Sequence, residues 1–123
     1  MSPDTDTPTA TDEVVGLVSR LIRFDTSNTG ELETTKGEEE CARWVQQQLE
    51  DVGYRTEYVE SGQPGRGNVF ATLPGSDSTR GKLLLHTHLD VVPAEPADWS
   101  VHPFSGSVAV SYTHLTLPTT PYV

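Results

Sequence analysis

The chain has 123 residues, 34% of them apolar, and a net charge of −10. That charge repels a phosphate backbone and argues against nucleic-acid binding. Its single cysteine, Cys41, excludes an internal disulfide, so a stapled secreted scaffold is ruled out and a reducing, cytoplasmic setting is expected.

Residues 1–10 are mostly Ser, Pro, Asp, Thr and Ala, without a basic start or an apolar run. They read as a disordered leader rather than a signal peptide. Thr11 is the expected N-cap of a first helix, with Asp12 and Glu13 in the turn where the helix dipole favours negative charge. Val14, Val15, Leu17, Val18, Leu21 and Ile22 follow with helical period, and the helix should end near Arg23 or Phe24. Asp25 to Gly30 reads as a loop.

Thr35 and Glu38 have capping-box spacing and predict a second helix from about Lys36 to Val52. Cys41, Val45, Leu49 and Val52 share its apolar face, with Trp44 beside them. Gly53 is placed to end it in a left-handed conformation. Three strands are then expected: Tyr54 to Val59, Asn68 to Leu73 and Leu83 to His88. Ser61 to Gly67 joins the first two as a hairpin or wide loop. The leucines that open the third strand suggest a buried, central position. Leu83 to Leu85 is the longest aliphatic run, far too short to cross a bilayer, so no membrane association is expected.

The chemistry concentrates in Leu83-Leu84-Leu85-His86-Thr87-His88-Leu89-Asp90. On an extended strand, His86, His88 and Asp90 would project from one face. Three readings are open on these residues alone. His88 could bind zinc through one ring nitrogen while Asp90 accepts from the other. The trio could relay protons without a metal. Or they are simply hydrogen-bonded polar groups where a strand leaves the core.

His88-Leu89-Asp90-Val91-Val92-Pro93 resembles the first signature of a metallopeptidase family. Its members include acetylornithine deacetylase, succinyl-diaminopimelate desuccinylase, aminoacylase and glutamate carboxypeptidase. Arg23-Phe24-Asp25-Thr26-Ser27-Asn28 resembles that family's loop after the first helix. Asp98-Trp99 with His102-Pro103-Phe104-Ser105-Gly106 resembles its segment after the metal histidine. The resemblance runs from about Glu13 to Gly106.

It implies an α/β fold, the N-terminal portion of a three-layer α/β/α zinc-peptidase-like catalytic domain, truncated, over residues 11–106. It also implies two zinc ions, with cobalt as a substitute, and metal-activated water attacking an amide bond of an N-acyl amino acid or small peptide. His88 would be a ligand of one zinc and Asp90 the catalytic-site residue that orients its imidazole. His86 matches no family ligand and reads as a supporting or packing residue. His102 reads as a loop residue near substrate, with Trp99 and Phe104 anchoring that loop. The full-length relatives often dimerise through a second domain, so the parent of this chain is expected to be a homodimer.

Two departures stand out. Thr87 occupies a position where the family has a small residue. After Gly106 the family continues to a Gly-Arg-Gly segment, a bridging aspartate, a Glu-Glu pair, another acidic ligand and a distant histidine, and none is present here. All 18 acidic and 8 basic residues lie in the first 98 positions. Ser111 to Thr119 resembles the translation of a sequencing adapter, and residues 107–123 therefore read as a non-native tail. The alternative is a genuine uncharged terminal strand, with His114 as a further ligand. The chain by itself is expected to be inactive, and its open strand edge is expected to favour aggregation. A non-catalytic metal-binding or interaction module is the competing functional reading.

Overall fold

Thr9 starts the first helix, α1 (Ala10–Ile22), in the computed structural model, which describes residues 8–109. The Asp12 N–H donates to Thr9 Oγ1 at 3.3 Å, and the Thr9 N–H donates to Asp12 Oδ2 at 2.8 Å. This reciprocal closure moves the cap to Thr9 from the expected Thr11, which lies inside the first turn. Both threonines are suitable caps, but only Thr9 has an acid three residues later. α1 ends at Ile22 with Arg23 as its C-cap, where the apolar period stops. None of its residues is buried, and Val14, Val15, Leu17, Val18 and Ile22 are exposed.

The second helix, α2 (Glu39–Asp51), begins later than the sequence suggests. The Thr35–Glu38 capping box does not form. Thr35 Oγ1 donates to the Glu31 carbonyl at 2.8 Å, and Gly37, at φ +82°, interrupts the helical path before Glu38. Glu38 is the N-cap without a side-chain capping bond; its carboxylate pairs with Arg66 instead, at 3.3 Å. Cys41 and Ala42 are buried, and Val45 and Leu49 are half-buried. Val52 falls beyond the helix and is exposed, contrary to its expected place on the buried face. Gly53 adopts φ +94°, the left-handed ending its type permits.

A hairpin follows, β1 (Arg55–Glu60) antiparallel to β2 (Gly67–Thr72), with Arg55 opposite Thr72 and Glu60 opposite Gly67. Both strands lie within a residue of their expected positions. α2 packs on the hairpin. Gln46 Nε2 donates to Thr56 Oγ1 at 3.1 Å, and the Arg43 guanidinium lies 3.6 Å from the centroid of the Tyr58 ring. Phe24, just past α1, meets Trp44 of α2 at 5.9 Å between ring centroids. With Cys41 and Ala42, Phe24 forms the small apolar core.

The third expected strand, Leu83 to His88, is absent as a strand. Leu83, Leu84 and Leu85 are 85%, 84% and 83% exposed. A strand exists through its hydrogen-bonded ladder. β1 and β2 satisfy each other, and no other described segment pairs with the leucine run. A single parallel bridge, Ser27 to Val91, ties this region to the rest. The described residues thus form a small α/β unit of two helices and a two-stranded sheet, plus a short 3₁₀ turn at Pro96–Asp98. No helix among them is long and apolar enough to cross a membrane.

Candidate functional site

The loop after α1 positions the site. The Val91 N–H donates to the Thr26 carbonyl at 3.1 Å, and the Asn28 N–H donates to the Val91 carbonyl at 2.8 Å. Thr26 is buried, and its hydroxyl donates to the Leu89 carbonyl at 2.7 Å. These three bonds fasten Leu89 to Val91 against residues 26–28, without any ladder beyond the single bridge.

Asp90 sits at the centre of this clamp. Its Oδ2 accepts from Asn28 Nδ2 at 2.9 Å, and its Oδ1 lies 2.9 Å from His88 Nδ1. The Asn28 amide holds the Asp90 carboxyl below its usual range; partial burial works against this, and His88 adds to it. His88 Nδ1 is also 2.9 Å from the Asp90 carbonyl oxygen. A carbonyl and an ionised carboxylate only accept hydrogen bonds, so Nδ1 carries the proton. In the neutral ring, Nε2 then keeps its lone pair. The His88 side chain is 79% exposed.

His86, Thr87, His88 and Asp90 line one side of a shallow groove of about 590 Å³, with Glu38 and Arg66 among the residues facing them. The structure therefore brings His88 and Asp90 into contact and places His86 in the same groove. It does so without the extended strand from which the three were expected to project. His102 lies apart, where its Nδ1 accepts from the Phe104 N–H at 3.2 Å and its ring is 6.1 Å from that of Phe104. Trp99 is exposed and Phe104 half-buried. His114 lies outside the described residues.

Thr26, Asn28, Glu38 and Arg66 were not singled out as site residues from the sequence. The loop 25–28 carried a signal through its resemblance, but nothing in its order indicated which side chain would reach Asp90. The Glu38–Arg66 pair spans two elements and has no local signature.

The donor set falls short of what a zinc ion needs. His88 offers one imidazole nitrogen, and Asp90 is engaged in holding that ring, an arrangement that suits one ligand position. A catalytic zinc takes about three protein ligands. Among the described residues no group of three or more His, Cys, Asp or Glu side chains is placed to hold a metal. They supply one candidate ligand and its support, not a complete site.

No family model matches the chain, and no solved structure does. Two curated relatives share short segments with it. Acetylornithine deacetylase of Arabidopsis thaliana is 48% identical over 46 residues, 36% of this chain and 10% of the relative. The N-fatty-acyl-amino acid synthase/hydrolase PM20D1 of Bos taurus is 36% identical over 53 residues, 43% of this chain and 10% of the relative. The chain thus spans about a tenth of the length of each, and the similarity to these hydrolases is partial.

Proposed function

We propose that the chain is the N-terminal part of the catalytic domain of a zinc-dependent hydrolase that cleaves an amide bond of an N-acyl amino acid or small peptide. The observation that carries this reading is the His88–Asp90 contact at 2.9 Å, with an exposed imidazole on the edge of a groove. The names of the two relatives, a deacetylase and an N-fatty-acyl-amino acid synthase/hydrolase, agree with it in reaction type and substrate class.

In this reading His88 contributes one ligand through Nε2. Asp90 keeps the proton on Nδ1 and fixes the ring plane. A zinc held by His88 together with further ligands would supply Lewis-acid chemistry, acidifying a bound water and polarising a carbonyl. The remaining ligands, the second ion and the general base belong to sequence that this chain does not contain. Residues 107–123 are a foreign tail, the whole catalytic domain is a three-layer α/β/α sandwich, and Leu83 to Leu85 become its central strand once neighbours pair with them. The parent enzyme accepts cobalt in place of zinc and forms a homodimer.

The test begins with the genomic DNA downstream of the Gly106 codon. It should encode a Gly-Arg-Gly segment, an aspartate and a Glu-Glu pair. The full-length protein it encodes, purified with zinc or cobalt, should hydrolyse members of an N-acyl amino acid panel, and His88→Ala should abolish this. A well-folded full-length protein inactive across the panel overturns the proposal. So does tight one-to-one zinc binding by the present chain alone, lost in His88→Ala, which would mark a self-sufficient binding module.

A further inference from the structure

We infer that Asn28 is a positioning residue: its side-chain amide holds the Asp90 carboxylate in the orientation that fixes the proton of His88 on Nδ1. The inference rests on the function proposed above and extends it to a residue in a different segment, 60 positions from His88.

An asparagine amide can present either its oxygen or its nitrogen to a neighbour, and here the choice is settled by a second contact. The Gly30 N–H donates to Asn28 Oδ1 at 3.0 Å. The oxygen is thereby committed to its own loop, so the nitrogen must face Asp90, and it does so at 2.9 Å from Oδ2. The backbone N–H of Asn28 is independently bonded to the Val91 carbonyl. The Asn28 amide is thus anchored to its own turn, and its backbone to Val91, the residue that follows Asp90.

With Oδ2 engaged by Asn28, Oδ1 is left to accept from His88. Without that restraint the half-exposed carboxylate could turn about its terminal torsion, a broad and soft one. The His88 ring would then lose one of the two acceptors that hold its Nδ1 proton. Its tautomer would relax toward protonation at Nε2, the nitrogen needed bare for a cation or a transferred proton. Nothing local specifies this arrangement. It arises because the loop after α1 and the segment 89–91 are clamped together.

The test reads the tautomer directly. The ¹⁵N-labelled 123-residue chain is studied by imidazole NMR at about pH 8.5, roughly two units above the ordinary histidine value, so that the ring is neutral. Wild type should show His88 protonated mainly at Nδ1. Asn28→Ser should shift the ratio toward Nε2 by about fivefold, the effect expected from losing one hydrogen bond of ordinary net strength. Serine can still accept from the N–H two residues on, so the turn survives while the reach to Asp90 is lost. Asn28→Asp, which sets a carboxylate against a carboxylate, should shift it further. Thr26→Val, which removes the neighbouring bond to Leu89 and loosens the clamp without touching Asp90, should shift it less than Asn28→Ser does.

A wild-type ring protonated at Nε2, or an unchanged ratio in folded Asn28→Ser, overturns the inference. So does an equal shift in Thr26→Val, which would mean that the loop acts only as scaffolding. Should Asn28→Ser unfold, Asn28→Gln keeps the amide and supplies the same reading, because its extra methylene displaces the donor. A ratio that responds as described, beside an inactive full-length enzyme, upholds the role of Asn28 and removes the hydrolase. A fixed ratio beside an active enzyme does the reverse.

Discussion

The Ser19 hydroxyl donates to the Gly106 carbonyl at 2.5 Å, joining the last turns of α1 to a residue 87 positions later. Gly106 is buried and adopts φ +63°, and a β-carbon there would overlap the Ser19 carbonyl oxygen and touch the Arg23 side chain. The segment after the 3₁₀ turn is thus fastened to the first helix at a position that accepts only glycine.

Gly106→Ala should therefore destabilise the chain by about 2 kcal/mol, combining left-handed strain with overpacking against backbone. Ser19→Ala should cost about 1 kcal/mol, the net value of one hydrogen bond. Urea midpoints at constant slope measure both. An unchanged midpoint for Gly106→Ala would show that residues near 106 do not pack on α1 in solution.

Stability should fall in acid as the carboxyls lowered in the folded state take up protons, Asp12 and Asp25 beside Asp77 and Asp90. Asp12 is held below its usual range by the Thr9 hydroxyl and then by the Thr9 N–H. Asp25 is held below it chiefly by the Ser27 hydroxyl, with burial opposing and the Ser27 N–H, Lys36 and His102 assisting. A carboxyl lowered in the folded state stabilises it fully above the unfolded value of about 3.9. That contribution disappears as pH falls through the lower folded value. The circular dichroism of the helices should therefore weaken as pH falls below about 4. Thr9→Ala should remove the Asp12 share of this dependence, and an identical profile in that variant would exclude the capping box as its source.

Cys41 should be a poor nucleophile. Burial pushes its thiol up, and the nearby Glu40 and Glu38 carboxylates push it further. Modification by a disulfide reagent at mild alkaline pH should be at least about a hundredfold slower in the native chain than in urea, corresponding to roughly 3 kcal/mol of opening. Equal rates would mean that α2 does not shield the thiol.

The leucine run should behave as surface. Leu83→Thr with Leu85→Thr removes two side chains that are 85% and 83% exposed. Stability should change by no more than about 0.5 kcal/mol, while self-association, followed by sedimentation velocity, should fall because an apolar patch is lost. A loss of about 2 kcal/mol or more would reveal packing of these leucines in this chain.

The sequence alone determined the parts whose causes are local. Apolar residues at helical spacing and acids in the first turn place α1, and Gly53 ends α2, because backbone bonds between near neighbours decide both. The alternating strands and the turn between them place the hairpin for the same reason. The caps were legible only as residue types. The failure of the Thr35–Glu38 box depended on Gly37 and on the competing turn at residues 29–35, whereas the choice of Thr9 over Thr11 followed from the acid three residues after it.

Tertiary structure decided what becomes of the segment 83–91. Its leucines carry a strand pattern, but a ladder needs a partner distant in sequence, and none of the described segments provides one. The nearness of His88 and Asp90 was legible from their spacing. The carboxylate's second partner, Asn28, was not, because two of the three bonds that bring residues 26–28 against 89–91 join backbone groups that every sequence possesses, and the third needs only a hydroxyl at Thr26.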